Sequence, residues 1–158
     1  MNAMMEKTSA AYLALARFLD RLSPLFDLAI RLYVASVFLR SGLGKLHNWD
    51  STLMLFRYEY DVPLLPPDVA AWTGTATELS LPLLVALGVA GRASALALFL
   101  FNGMAVYSYQ SVLLSPAGAA GLQQHILWGS LLLVTLFHGP GKLSVDHLLC
   151  RWLGKKGS

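Results

Sequence analysis

The chain has 158 residues, 56% of them hydrophobic and 13% charged, with a formal net charge of +3. Soluble domains carry about 25% charged residues, so the apolar excess must face something other than water, and the length fits one compact domain. The basic residues are spread along the chain without a dense patch interleaved with aromatics, which argues against nucleic acid as a partner. The lone Cys150 excludes an intrachain disulfide and gives no support to a cysteine-based metal site, and near a helix end it reads as inert packing.

No short apolar core followed by a small-residue cleavage site opens the chain, so the first span is expected to act as a retained insertion signal. Residues 5–22 predict an amphipathic helix. Tyr12, Leu15, Phe18, Leu19 and Leu22 recur at steps of three and four, with Lys7, Arg17, Asp20 and Arg21 between them. Such a segment lies in a membrane interface or caps a helical body; the spacing alone leaves both open. Ser23-Pro24 predicts the start of a new helix, because proline is tolerated in a first turn.

A first span is predicted over residues 26–46, since about 20 apolar residues cross a bilayer core of about 30 Å. Residues 47–68 are polar and rich in turn formers, and Pro63, Pro66 and Pro67 exclude a continuous helix there. A second span is predicted over 69–90, with Glu78 inside it and Pro82 expected to kink it or free a carbonyl. Gly91-Arg92 reads as a tight connection to a third span over 93–113. A loop over 114–122 leads to a fourth span over 120–138. Ser144 can cap a short C-terminal helix over 145–153. The expected fold class is therefore all-α: an integral membrane four-helix bundle with an N-terminal amphipathic helix and a short C-terminal helix. Its parts are an interfacial helix (1–25), the four-span domain (26–149) and a polar tail (150–158).

Lys and Arg gather in the N-terminal segment, at Arg92 and at the C-terminus, whereas the other side has only Lys45 and Arg57. The positive-inside rule then places both termini in the cytoplasm, in a bacterial inner membrane, with the 47–68 and 114–122 loops outward.

Charged residues inside a bilayer need partners, because each costs at least about 2.5–3.5 kcal/mol by insertion scales. Arg40 lies roughly 9 Å and Glu78 roughly 13 Å below the outer ends of their spans. Their similar depth on adjacent helices predicts an ion pair. Asn102, Tyr107, Tyr109, Gln123, Gln124, His125 and Trp128 fall in the same outer half, with Lys45, His47 and Trp49 at its mouth. An apolar cleft with a few convergent polar groups is a small-ligand site. In it Glu78 and His125 are the candidate proton-exchanging residues, and Arg40, Lys45, Asn102, Tyr107 and Gln124 the candidate ligand-binding ones. The opposing structural reading is an Arg40–Glu78 lock between helices, a snorkelling Lys45, and Tyr and Trp as interface belt residues. The spacing of His138 and His147 matches no metal motif, and no metal site is expected. Gly42, Gly44, Gly74, Ser94 and Gly103 are expected to permit close helix approach.

Several segments in order carry a family resemblance. They are RLYVASVFLRSGLGKLHNW in the first span, VPLLPPDVAAW in the outer loop, TELSLPLLVALGVAGR in the second span, and HGPGKLSVDHLL near the end. Over about residues 27–149 the chain resembles the DoxX family. The resemblance implies a bacterial four-helix membrane protein, with relatives that include the quinone-reducing membrane subunit of an archaeal thiosulfate:quinone oxidoreductase and proteins associated with thiol-redox and oxidative-stress assemblies. The family's usual polar positions map onto Arg31, Lys45, Glu78, Arg92 and Asp146, and Ser41 stands where many members carry a His.

The resulting expectation is a membrane subunit of a redox-linked system that handles a quinone or a small thiol or sulfur compound. No cofactor is expected to be covalently bound. The chain lacks a CxxC pair, a dinucleotide fingerprint and a haem or iron–sulfur pattern. Electrons would come from a redox protein partner or pass between small molecules. The alternatives are a non-catalytic membrane anchor or assembly partner for another protein, and a small-molecule permease, which would require a homo-oligomer.

Overall fold

The computed structural model describes residues 2–154; residues 155–158, the end of the expected polar tail, lie outside the described residues. The described chain is helical and contains no strand among those residues. Its elements are α1 (Asn2–His47), α2 (Trp49–Tyr58), α3 (Pro67–Leu87), α4 (Gly91–Ser108), α5 (Gln110–Leu113), a 3-10 turn (Pro116–Gly118), α6 (Ala119–His138) and α7 (Val145–Gly154). Four long helices pack in a ring: α1 on α3, α3 on α4, α4 on α6, and α6 back on α1. Val34, Phe38, Val85, Ala95, Leu98 and Leu132 fill its centre. Phe38 meets Phe101 and Trp128 edge-on, with centroids 6.4 and 5.8 Å apart, the favoured aromatic geometry.

Two expectations change. The predicted helix start at Ser23-Pro24 does not occur, because α1 runs unbroken through Pro24. A proline inside a helix frees one carbonyl, here that of Asp20. The stretch from Arg17 to Ser23 is exposed, so that carbonyl can find another partner without opening the helix. Second, the 47–68 connection is not all turn: α2 occupies its first half. Phe56 of α2 packs with Ala70 and Ala71 of α3, flanked by Trp49, Leu53, Tyr60 and Val62. The prolines confine irregular backbone to residues 59–66, and Arg57 ties α2 to α3 through a two-pronged pair with Asp68, both bonds 2.8 Å.

α3 is continuous through buried Pro82, which has no N–H to offer the Glu78 carbonyl. The α3–α4 turn needs left-handed backbone at Gly88 (φ 67°) and Ala90 (φ 45°). The C-terminal segment clasps this turn. Arg31, 1% exposed, donates through Nη1 to the Val85 and Ala86 carbonyls at 3.3 and 2.7 Å and through Nη2 to the Leu143 carbonyl. A cation on the last carbonyls of a helix offsets its terminal dipole. The Asp146 carboxylate accepts from the Ala90 and Gly91 N–H groups at 2.9 and 2.7 Å, capping α4 from across the fold. Cys150, expected to be packed, is exposed on α7.

Candidate functional site

Ser41 and Lys45 lie one turn apart on α1 and face α3. Gly42 has no side chain between them; a Cβ there would lie 3.0 Å from the Glu78 Cβ and the Leu79 side chain. The two helices therefore approach closely at this level. Gly74 also faces a neighbour, Phe56, whereas Gly44 and Gly103 face open space and do not serve the close approach expected of them.

Lys45 Nζ donates to both Glu78 carboxylate oxygens at 2.6 Å and to Ser41 Oγ at 3.0 Å. Ser41 Oγ donates to Glu78 Oε1 at 3.2 Å. The Lys45 and Glu78 side chains are only 14% and 9% exposed. The expected Arg40–Glu78 pair is replaced by this one, and Arg40 is exposed. The two residues lie at similar levels along α1 and α3, but rotation separates them: residue 40 sits about 100° around the helix from residue 41, while residues 41 and 45 share a face.

On the other side of the ring, Asn102 of α4 and His125 of α6 form a reciprocal pair. Asn102 Nδ2 donates to the His125 carbonyl at 3.0 Å, and Asn102 Oδ1 lies 2.8 Å from His125 Nδ1. Because the amide nitrogen is committed to a carbonyl, its oxygen must accept, so Nδ1 carries the imidazole proton. That leaves Nε2 as an acceptor. Trp128 holds the ring edge-on at 4.9 Å between centroids.

Between these walls lies a cavity of about 310 Å³, within the range of small-ligand sites. Phe56, Tyr60, Val62 and Leu65 bound it from α2 and the connection to α3, and Phe101, Met104 and Ala105 from α4. Its polar groups are Ser41, Lys45, Thr73, Thr77, Glu78, Ser108, Tyr109 and His125. The Thr73 and Thr77 hydroxyls are occupied by backbone carbonyls of α3. The Ser108 hydroxyl is buried and has no hydrogen-bond partner among the described residues. Tyr60 stacks edge-on between Phe56 and Tyr109, at 4.8 and 4.9 Å. Burial, aided by Tyr109, Glu78 and Glu59, pushes the Tyr60 phenol up to about 12, so it stays protonated at neutral pH. The Asp61 N–H donates to the Ser108 carbonyl at 2.8 Å, and Tyr109 OH donates to Glu59 at 3.1 Å. These bonds moor the connection over the cavity.

Of the residues singled out from sequence, the structure brings Lys45, Glu78 and His125 to the cavity, with Asn102 behind His125. Arg40, Tyr107 and Gln124 are exposed outside its lining. Sequence reasoning missed Tyr60 and Ser108, and marked Ser41 only as a departure from the His that many family members carry. The stripe Trp49, Leu53, Phe56, Tyr60 carries a helical period that would have revealed α2 and the residue at its end. Among the described residues, no group of three or more His, Cys, Asp or Glu side chains is placed to hold a metal ion.

Comparison with known proteins follows the same outline. The DoxX family profile matches residues 26–111. A protein of Haemophilus influenzae, described only as an uncharacterized protein, is 31% identical over 124 residues, covering 77% of this chain and 82% of the relative. No solved structure matches. The segments Ala11–His47 and Pro116–His138 are long and apolar enough to cross a membrane.

Proposed function

This chain belongs to the DoxX family and is a membrane protein, and from that premise we propose that it is a subunit of a redox-linked system whose cavity binds a quinone or a small thiol or sulfur compound. In this reading the four long helices form a transmembrane bundle in a bacterial inner membrane, with both termini cytoplasmic and the cavity in the outer half. The exposed faces support it: Leu83, Leu87, Leu100, Ile126 and Phe137 are all outward. Exposed hydroxyls there are spent on their own helices, Ser80 on the Ala76 carbonyl and Ser130 on the Ile126 carbonyl, both 2.8 Å, as a lipid-facing hydroxyl requires.

The observation that carries the ligand reading is the cavity's polarity. A Lys45–Glu78 pair, its side chains 14% and 9% exposed, opens into an apolar space that Tyr60 and His125 also line. A ligand that carries carbonyl and hydroxyl oxygens or a thiol fits this set: the Tyr60 phenol offers a donor, His125 Nε2 accepts from a hydroxyl or thiol, and the apolar walls take a ring or chain. A quinone, when bound, supplies the electron-accepting chemistry. The chain's own residues orient it, exclude water, and offer proton acceptors at the Glu78 carboxylate and at His125 Nε2.

The test is purification from native membranes in mild detergent, extraction, and mass spectrometry. A stoichiometric quinone or thiol compound is expected, and its loss in folded Tyr60→Phe and His125→Phe variants. A protein that is empty of small molecules and instead brings down one specific partner would favour the anchor reading and leave Lys45–Glu78 as a helix lock.

A further inference from the structure

α1 has 46 residues and so spans about 69 Å at 1.5 Å per residue, more than twice a bilayer core of about 30 Å. Its packed part begins near Ile30. The preceding arm is exposed on both its faces, with Tyr12, Leu15, Phe18, Leu19 and Leu22 between 41% and 70% exposed. An exposed apolar face of this extent needs an occupant.

The distribution around the arm is two-sided, with Leu13, 49% exposed, as the apolar exception on the polar half. At 3.6 residues per turn, Leu15, Phe18, Leu19 and Leu22 fall on one half of the circumference, and Arg17, Asp20, Arg21 and Pro24 fall together on the other. Pro24 therefore sits on the polar face. A proline ring presses against the carbonyl four residues back and opens the helix on its own side, so a bend there is directed toward the opposite face. Here that face is the apolar one. A bend at Pro24 swings the arm's apolar face down along the lipid around the bundle and leaves the two arginines at headgroup level.

A second element at the same end agrees. α7 is clasped next to the root of the arm through the Arg31–Leu143 and Asp146–Gly91 bonds. It leaves Leu148, Leu149 and Leu153 exposed, at 63%, 49% and 60%, with Arg151 on the other side. Two amphipathic helices at one level of a membrane protein define a plane, and the geometry points to a phospholipid surface as the occupant of the arm: residues 12–22 lie in the cytoplasmic interface as an anchor, apolar face in the acyl boundary, Arg17 and Arg21 on lipid phosphates. This rests on the membrane-spanning reading above.

The experiment uses the full chain with Cys150→Ser, reconstituted in vesicles of phosphatidylethanolamine and phosphatidylglycerol, with single cysteines probed by a membrane-impermeant maleimide in permeabilised samples. Leu15→Cys, Phe18→Cys and Leu22→Cys are expected to react about tenfold or more slowly than Arg17→Cys and Arg21→Cys, since withdrawing such side chains from lipid is that unfavourable. Equal rates around the helix overturn the proposal. So does protection accompanied by Phe18→Cys disulfides between copies, which would make a second chain the occupant. Leu100→Cys, on the exposed face of α4, is the control. If it reacts as a water-exposed site, the membrane-spanning reading itself fails; if it is protected and the arm is not, only the anchor fails.

Discussion

Removing either partner of the Lys45–Glu78 pair should cost far more than removing both. With 2.6 Å between the charged atoms and 14% and 9% of the side chains exposed, the attraction at an effective dielectric near 20 is about 6 kcal/mol. Desolvation of two ions offsets most of that, so the net value of the pair is small. Glu78→Gln, however, leaves a buried ammonium with Ser41 as its remaining acceptor, and Lys45→Met leaves a buried carboxylate with Ser41 as its remaining donor. Each single change should destabilise by about 3–5 kcal/mol, and the double variant should lie within about 1 kcal/mol of the parent. The coupling in a double-mutant cycle is then several kcal/mol. The assay is reversible unfolding of the purified protein from mild detergent into a denaturing detergent, followed by far-ultraviolet circular dichroism. A double variant whose destabilisation equals the sum of the singles would refute the reasoning, because it would mean the two charges do not depend on one another in the folded protein.

Gly42→Ala should destabilise by about 1–3 kcal/mol through overpacking, since its Cβ would lie 3.0 Å from Glu78 and Leu79 atoms; the same unfolding assay reads it, and Gly44→Ala, facing open space, should be neutral by comparison. Asp146→Ala removes two acceptor contacts at the α4 N-terminus and should cost about 2 kcal/mol, within the range of strong caps, with amide exchange rising first at Ala90 and Gly91. Tyr60 titrates at about 12, above the ordinary phenol value of 10.0. Its folded value is raised, so its contribution is intact below the ordinary value and is lost as pH rises through the folded one; ultraviolet titration should show a late tyrosinate phase that Tyr60→Phe abolishes. The Arg57 hydrogen bond holds the Asp68 carboxyl below the usual carboxylate range. That tie is present above the range and is lost as acid protonates Asp68, so limited proteolysis within residues 59–66 should quicken at low pH in the parent and already be fast at neutral pH in Asp68→Asn.

The long helices were legible because periodicity and length act locally: the second, third and fourth spans fall within a few residues of α3, α4 with α5, and α6. Local signals misjudged Pro24, where a turn former sits in exposed helix that tolerates it, and hid α2 behind the polar residues of its outer face. In the site, Glu78 and His125 were visible as polar residues in apolar runs. Their partners were not, because partnership depends on rotation about each helix. Depth alone placed Arg40 beside Glu78, while the one-turn step from Ser41 to Lys45 decided the pairing. Ser108 carries no signal in sequence; it matters only because packing buries it against the cavity with its hydroxyl unspent.

Pro82 gives α3 an uneven stiffness. Every turn of a regular helix is strapped by backbone bonds, and the strap that would end on the Glu78 carbonyl is missing because residue 82 has no N–H. The turn bearing the carboxylate thus lacks one backbone strap, and side chains help to hold it: the Lys45 ammonium, the Ser41 hydroxyl and the close approach at Gly42. Any molecule that competes for Lys45 loosens the segment that presents Glu78. Contact in the cavity and the shape of the helix are therefore mechanically joined at a single turn.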